Sequence, residues 1–329
     1  MVDPLEIQRI IATQLSPIAG IMDDARVNEI MVTADGRVWV ERSGVITSSG
    51  IVLTEASRDL ALTAVAKSVN ISMKPNTASA VVSASLGGMR FAGALKPIES
   101  RGTTLCIRKH LEPESRPSLE QLIEWEMLSK HQAETLIELI IVQRKNAVFV
   151  GATSSGKTTL TNAILGKIPG HERIGLIEDA QELAPKAENC DRYTTNPEKQ
   201  IDARLLIKHA MRSRYDRLIL GESRGDDTFD LIRALSSGHN GSMTTIHGNS
   251  ASDGMYTIEM LYQMSIPQGA QISVDVARKY LAAAINVLVY AERTYKRLDN
   301  GNEKVVRRIK EIALVKSVNK DGQYELEYL

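Results

Sequence analysis

Three features of the sequence predict an α/β fold in two parts. The first is the pattern GATSSGKT at residues 151–158, set between an apolar run and a helical stretch. The second is the alternation of short apolar strands with helices from Asn146 onward, the signature of a three-layer domain with a mainly parallel sheet. The third is a hairpin-rich stretch of about 110 residues before a polar segment containing Pro113 and Pro117. The chain has 329 residues, enough for two cores, since single cores stop growing near ~250–300 residues.

Taken in order, residues 4–22 carry Ile7, Ile10, Ile11, Leu15 and Ile18 at helical spacing and predict an amphipathic helix without the basic face of a membrane-surface helix. Two β-rich runs, 29–33 and 37–41, flank Ala34-Asp35-Gly36 and predict a hairpin. A helix over 54–70 and strands at 81–85, 89–95 and 104–108 complete a small α+β domain at 1–109. Residues 110–118 read as a linker. Ser118 opens the second domain, 119–329, with Gln121 as its capping-box partner, on a helix expected to reach about Gln143. Turns at 299–301 and 320–322 predict two hairpins near the end.

Composition excludes several classes. Apolar residues make up 43% and the 40 basic residues balance 40 acidic ones, so the chain is not disordered. No apolar run reaches ~18 residues, and the longest candidate, 280–291, is interrupted by Asn286. Met1-Val2-Asp3-Pro4 does not start a secretory leader. Cys106 and Cys190 show no framework spacing and read as reduced thiols of a cytosolic protein. With 4% aromatics and no net charge, nucleic acid is not expected as a tight specific ligand.

GATSSGKT matches the phosphate-loop pattern at each fixed position. Gly151 and Gly156 let Ala152, Thr153, Ser154 and Ser155 curl so that successive N–H groups converge on phosphate oxygens, and the helix opened by Lys157, Thr158 and Thr159 adds its positive end. Lys157 then reaches the β- and γ-phosphates of ATP, and the Thr158 hydroxyl takes Mg²⁺. Downstream, RIGLIEDAQE and RLILGESR put Glu178 and Glu222 at the ends of two strands, where ligands of α/β sheets gather. One carboxylate suits the deprotonation of water and the other suits Mg²⁺, directly or through water. SSGHNGSMTTIH, residues 236–247, holds His239 and His247 with hydroxyls that suit a γ-phosphate sensor.

These motifs, in this order, resemble the secretion ATPase superfamily of type II and type IV secretion, type IV pili and conjugation: a Walker A loop, an Asp box, a Walker B strand and a His box. The match of EIMVTADGRVWVERSG extends the resemblance to the family's sensor-like, PAS-like N-terminal domain. The compact N-terminal part and the lack of a four-cysteine insert point to the type IV secretion and conjugation branch. The family's usual Pro-Asp before Walker B is Tyr215-Asp216 here, and its apolar residue between Glu and Arg is Ser223. The resemblance implies a RecA-like P-loop NTPase domain and an ATP-hydrolysing homo-hexamer. It would power assembly or substrate transfer at the cytoplasmic face of the inner membrane, attached through a secretion channel or coupling proteins. It makes Glu178 the general base, Glu222 the Mg²⁺ residue, and His239 and His247 phosphate sensors or links between sites. Arg90, Arg101 and Arg108 become phosphate contacts from the N-terminal domain, which ATP would close through the linker near Pro113. Arg212, Arg214 and Arg224 are open to either cross-subunit contacts or structural ion pairs. Pilus assembly or retraction, and a RecA-like nucleic-acid motor, are the rival readings.

Overall fold

The computed structural model describes residues 4–109, 116–196, 199–299, 301 and 303–329. Residues 110–115 of the expected linker, Pro113 among them, and Asn300 of the first late turn lie outside these. The chain divides into two compact units: Met1–Glu114 with Tyr295–Val306, and Ser115–Thr294 with Arg307–Leu329.

In the first unit, α1 (Pro4–Gln14) leads through a 3₁₀ turn to α2 (Ala19–Asp23). The single helix expected over 4–22 is broken at a 3₁₀ turn, Ser16–Ile18, because the ring and missing N–H of Pro17 cannot continue the α ladder. Strands β1 (Val27–Val32), β2 (Arg37–Arg42) and β3 (Val45–Val52) precede α3 (Glu55–Ser68); β4 (Val81–Leu86), β5 (Met89–Ala94) and β6 (Thr104–Lys109) follow it. They form an antiparallel sheet in the order β4-β5-β6-β1-β2-β3. The Asp35-Gly36 turn needs glycine, with φ at +86°. Ile7, Ile11 and Leu15 pack with Leu62 and Val65 of α3 against Ile30, Val40 and Ile107. β3 lies outside the sequence reading because its centre, Thr-Ser-Ser-Gly, alternates without the apolar run that marks a strand. Cys106 is free, and burial with the neighbouring Glu29 carboxylate pushes its thiol up to about 12, which disfavours the reactive thiolate.

The second unit opens with α4 (Leu119–Glu124), where Ser118 and Gln121 form the expected reciprocal cap. The expected long helix stops there. Glu126 takes a left-handed conformation (φ +56°), and a second capping box, Ser129 with Gln132, restarts the chain as α5 (Lys130–Leu136). A π-helical segment, Ile137–Val142, follows. Then come β7 (Ala147–Gly151), α6 (Lys157–Leu165), β8 (Ile174–Glu178), β9 (Cys190–Thr194), α7 (Ala203–Ala210), β10 (Arg217–Leu220), α8 (Thr228–Leu235), β11 (Met243–Ile246), α9 (Ala251–Ser265), α10 (Val274–Ala284), β12 (Val287–Arg297), β13 (Glu303–Val318) and β14 (Tyr324–Tyr328).

Strands β9-β8-β10-β11-β7-β12 run parallel, with β13 beyond β12 and β14 antiparallel on β13. Phe149, Leu176 and Ile219 face the α4–α6 core, whereas Val148, Val150, Ile177 and Leu220 face the α7–α10 core. Because both faces are covered, β7, β8, β10 and β11 are buried along their whole length, as parallel strands must be. The turn at 320–322 falls between β13 and β14 as expected, and the β12–β13 tip, Tyr295–Val306, groups with the first unit. Lys304 pairs with Val45 there.

At the amino ends of these strands, the fully buried Arg217 guanidinium uses all five of its N–H groups. It donates to Glu172 Oε2 (2.6 Å) and Oε1 (3.3 Å), to Ile140 O (2.6 Å) and Ile141 O (3.0 Å) of the π segment, and to Gly241 O (3.1 Å). We expect Arg217→Met to lower unfolding free energy by about 3–5 kcal/mol, since it leaves three carbonyls without this donor and the buried Glu172 carboxylate with only its Arg144 partner (3.0 Å). Urea denaturation with the wild type alongside measures the loss.

Candidate active site

The apolar strand β7 delivers the chain to Gly151 at the carboxyl edge of the sheet, and α6 begins six residues later. A side chain at Gly151 would sit 2.4 Å from Ala291 O and 2.5 Å from Ser155 Oγ, so only glycine fits. Ser154 (φ +59°) and Gly156 (φ +95°) are left-handed, the backbone pattern that turns N–H groups into an anion-binding nest. The Lys157 ammonium donates to Gly151 O (2.7 Å) and Ala152 O (2.9 Å), and the Ser155 N–H donates to the same Ala152 O (3.2 Å). Donors from two residues therefore converge inside the loop, and Ser155 Oγ is buried there without a hydrogen-bond partner. This donor set fits a phosphate group. Among the described residues, no three His, Cys, Asp or Glu side chains stand together as a metal cage. Mg²⁺ in a phosphate loop needs none, as it draws on a hydroxyl, phosphates and water.

Glu178 ends β8, and the chain after it folds back over the carboxylate. Its Oε1 accepts the N–H groups of Glu182 (3.0 Å) and Leu183 (2.8 Å), and Arg192 stands 3.8 Å from Oε2. Burial outweighs these bonds and pushes its pKa up to about 7. Asn162 of α6 ties that loop to the helix behind the phosphate loop, through Glu182 O (2.9 Å) and the Ala184 N–H (2.8 Å).

Glu222 follows β10, one strand from Glu178. His247, just after β11, approaches Glu222 Oε1 at 2.7 Å, and Arg224 holds Oε2 at 2.6 Å. Arg224 also reaches Asp179 at 2.6 Å, and the Thr195 hydroxyl donates to Asp179 at 2.7 Å. Ser223 turns inward instead: its N–H bonds Thr245 O and its hydroxyl meets Thr228 (2.8 Å), so a buried polar contact stands where an apolar residue was expected.

A phosphate loop and two strand-end carboxylates thus share one sheet edge. A family model described as type II/IV secretion system protein matches residues 12–324. The chain belongs to this family. It is 31% identical over 312 residues to the conjugal transfer protein TrbB of Rhizobium radiobacter, covering 93% of this chain and 89% of that one. It is 28% identical over 303 residues to the protein VirB11 of the same organism, covering 84% and 88%. In fold it is similar to the X-ray structure of the Yersinia pseudotuberculosis ATPase DotB, with a TM-score of 0.62 at 16% identity over 94% of this chain and 79% of that one.

For this secretion-family chain, one expected site residue falls elsewhere. His239 precedes β11 and so lies at the amino edge of the sheet, a strand's length from His247. It is buried there, with Nδ1 3.0 Å from Ala234 O. That places it apart from Glu222 and His247, at the opposite end of β11. Arg90, Arg101 and Arg108 belong to the first unit. Arg90 bonds Ser83 (3.2 Å), Arg101 pairs with Glu99 (3.1 Å), and Arg108 lies on β6 opposite Arg90 and Glu29. Arg214 pairs with Asp216 (3.4 Å) at the amino edge, whereas Arg224 is at the site. The sequence reading missed Asp179 as a partner of Arg224. The signal was its place directly after Glu178, which carries it past the strand end into the loop.

The Glu178 pKa gives a signed prediction. A carboxyl raised in the folded state binds its proton more tightly there, so its contribution is present below the ordinary carboxylate range and is lost as pH rises through about 7. Relative to Glu178→Gln, the wild type is expected to lose roughly 3 kcal/mol of stability between pH ~4.5 and ~7. Denaturation of both proteins across that range checks it, and parallel curves would sink it.

Proposed function

We propose that the chain is an ATPase of type IV secretion and conjugal transfer. In this reading residues 119–329 are a RecA-like motor domain and residues 1–109 a PAS-like domain. The molecule works as a homo-hexamer on the cytoplasmic face of the inner membrane, attached through secretion-channel or coupling proteins. Among the described residues, no helix is long and apolar enough to cross a membrane. The observation that carries the reading is the convergence of Ser155 N–H and Lys157 inside a loop whose sheet edge also bears Glu178 and Glu222. The similarity to the conjugal transfer protein TrbB and to VirB11 supports the secretion and conjugation reading.

Residues 151–159 bind the nucleotide, with Lys157 on the β- and γ-phosphates. A bound Mg²⁺ supplies neutralising charge at the phosphates, and Thr158 and Glu222 are the side chains that would hold it, directly or through water. Glu178 takes the proton of the attacking water as the new oxygen–phosphorus bond forms and ADP departs with the bridging oxygen. A pKa near 7 suits that task, since it lets the carboxylate both hold and release a proton at working pH. His247 and Arg224 fix the two oxygens of Glu222. Arg90, Arg101 and Arg108 supply positive charge to the transferred phosphoryl group.

Mg-ATP turnover should fall by at least ~10²-fold in Lys157→Ala and Glu178→Gln. In the wild type it should rise with protein concentration as a ring-sized species appears by light scattering. It should drop in Arg101→Ala and Arg108→Ala. A monomer that hydrolyses ATP equally at every concentration would overturn the ring and the arginine contacts.

A further inference from the structure

Arg307 lies on β13 and carries no role in the reading above. Its Nε–H donates to the carbonyl of Ser154 at 2.7 Å, and its aliphatic stem runs beside Gly156, where an added Cβ would lie 3.7 Å from Arg307 Cδ. The side chain therefore spans the two left-handed residues of the phosphate loop. Two further bonds hold this part of β13 in place: the Ile309 N–H to Met127 O (2.7 Å), and Gln132 Nε2 to Ile309 O (3.1 Å).

We propose that Arg307 is a positioning residue for nucleotide binding; this rests on the ATPase reading. Ser154 stands at φ +59°, a conformation that costs a residue with a Cβ and is held only by its surroundings. In a trans peptide the C=O and the following N–H point in opposite directions. Fixing the Ser154 carbonyl on Arg307 therefore turns the Ser155 N–H the other way, onto Ala152 O, where the Lys157 ammonium also points. An anionic phosphate oxygen entering the loop would take over two donors that the Ala152 carbonyl already holds side by side. Arg307 touches neither phosphate nor reacting atoms in this account. It acts through the 154–155 peptide, and a charge-assisted bond to a carbonyl is strong enough to hold it.

The test is equilibrium binding of a fluorescent ADP with Mg²⁺, with thermal melts for every protein. Arg307→Gln should weaken binding about tenfold with a near-unchanged Tm. It should raise KM for Mg-ATP while kcat at saturation stays within about threefold, the pattern of lost uniform binding. Arg307→Lys should recover part of the affinity, since an ammonium can still donate. The discriminating protein is Arg307→Gln with Ser154→Gly. Glycine adopts positive φ unaided, so the double variant should regain most of the lost affinity. Wild-type affinity in Arg307→Gln, or a loss that Ser154→Gly does not recover, overturns the proposal. If Arg307→Gln does not fold, the comparison of Arg307→Lys with and without Ser154→Gly decides in the same way. A wild type that binds no Mg-ADP would overturn the ATPase reading itself, an outcome distinct from a binding wild type with an indifferent Arg307.

Discussion

Four separate pieces of chain meet at one buried cation. The Arg217 guanidinium starts β10 and gathers the carboxylate just before β8, two carbonyls of the π-helical segment that leads to β7, and the carbonyl of Gly241 that leads to β11. Those are the entries to the four adjacent parallel strands. Removing a guanidinium from water is expensive, and the cost is met only because each donor finds an acceptor. The fit is tight on the other side as well: a Cβ at Gly241 would come within 2.2 Å of an Arg217 nitrogen. Asn146 repeats the device nearby, bonding Leu235 O, Ala284 O and the Ser242 N–H. Strand register at the amino edge is thus set by directional bonds between polar groups, whereas the apolar layers around them specify only burial.

This arrangement divides labour between the two edges of the sheet. The amino edge centres on the fully buried Arg217 and its acceptors. The carboxyl edge keeps Glu178 and Lys157 buried but links more exposed side chains in a chain of contacts: His247 with Glu222, Glu222 with Arg224, Arg224 with Asp179. The two histidines of one short segment illustrate the division. The four residues of β11 lie between them, so His239 stands at the amino edge and His247 at the carboxyl edge beside Glu222.

Much of this was legible in the residues. GATSSGKT with its preceding apolar run, the Asp-Gly hairpin and the Ser118–Gln121 cap each encode geometry locally, through glycine conformation, turn chemistry or reciprocal bonding. Glu178 and Glu222 were legible because parallel strands end at a common edge. What escaped was set at a distance. The break at Glu126 depends on a second cap overlapping a helical pattern, and β3 is a strand because its neighbours are. Arg307 lies 153 residues from the carbonyl it holds. The side of the sheet on which His239 falls follows from where β11 starts, and a Gly-, Ser- and Thr-rich sequence does not announce that start.

The grouping of residues 295–306 with the first unit has a consequence for inheritance. A recombination event in the segment after Lys109 would seem to exchange an N-terminal module cleanly. It would instead leave Val45 and Gly44 of the incoming unit facing Lys304 and Val305 from the resident chain, where the Val305 N–H bonds Gly44 O at 2.6 Å. The module boundary drawn along the gene is not the boundary drawn in space. Descendants of such an exchange must therefore either re-match the hairpin tip or carry it along, which ties the history of the first hundred residues to that of the last forty.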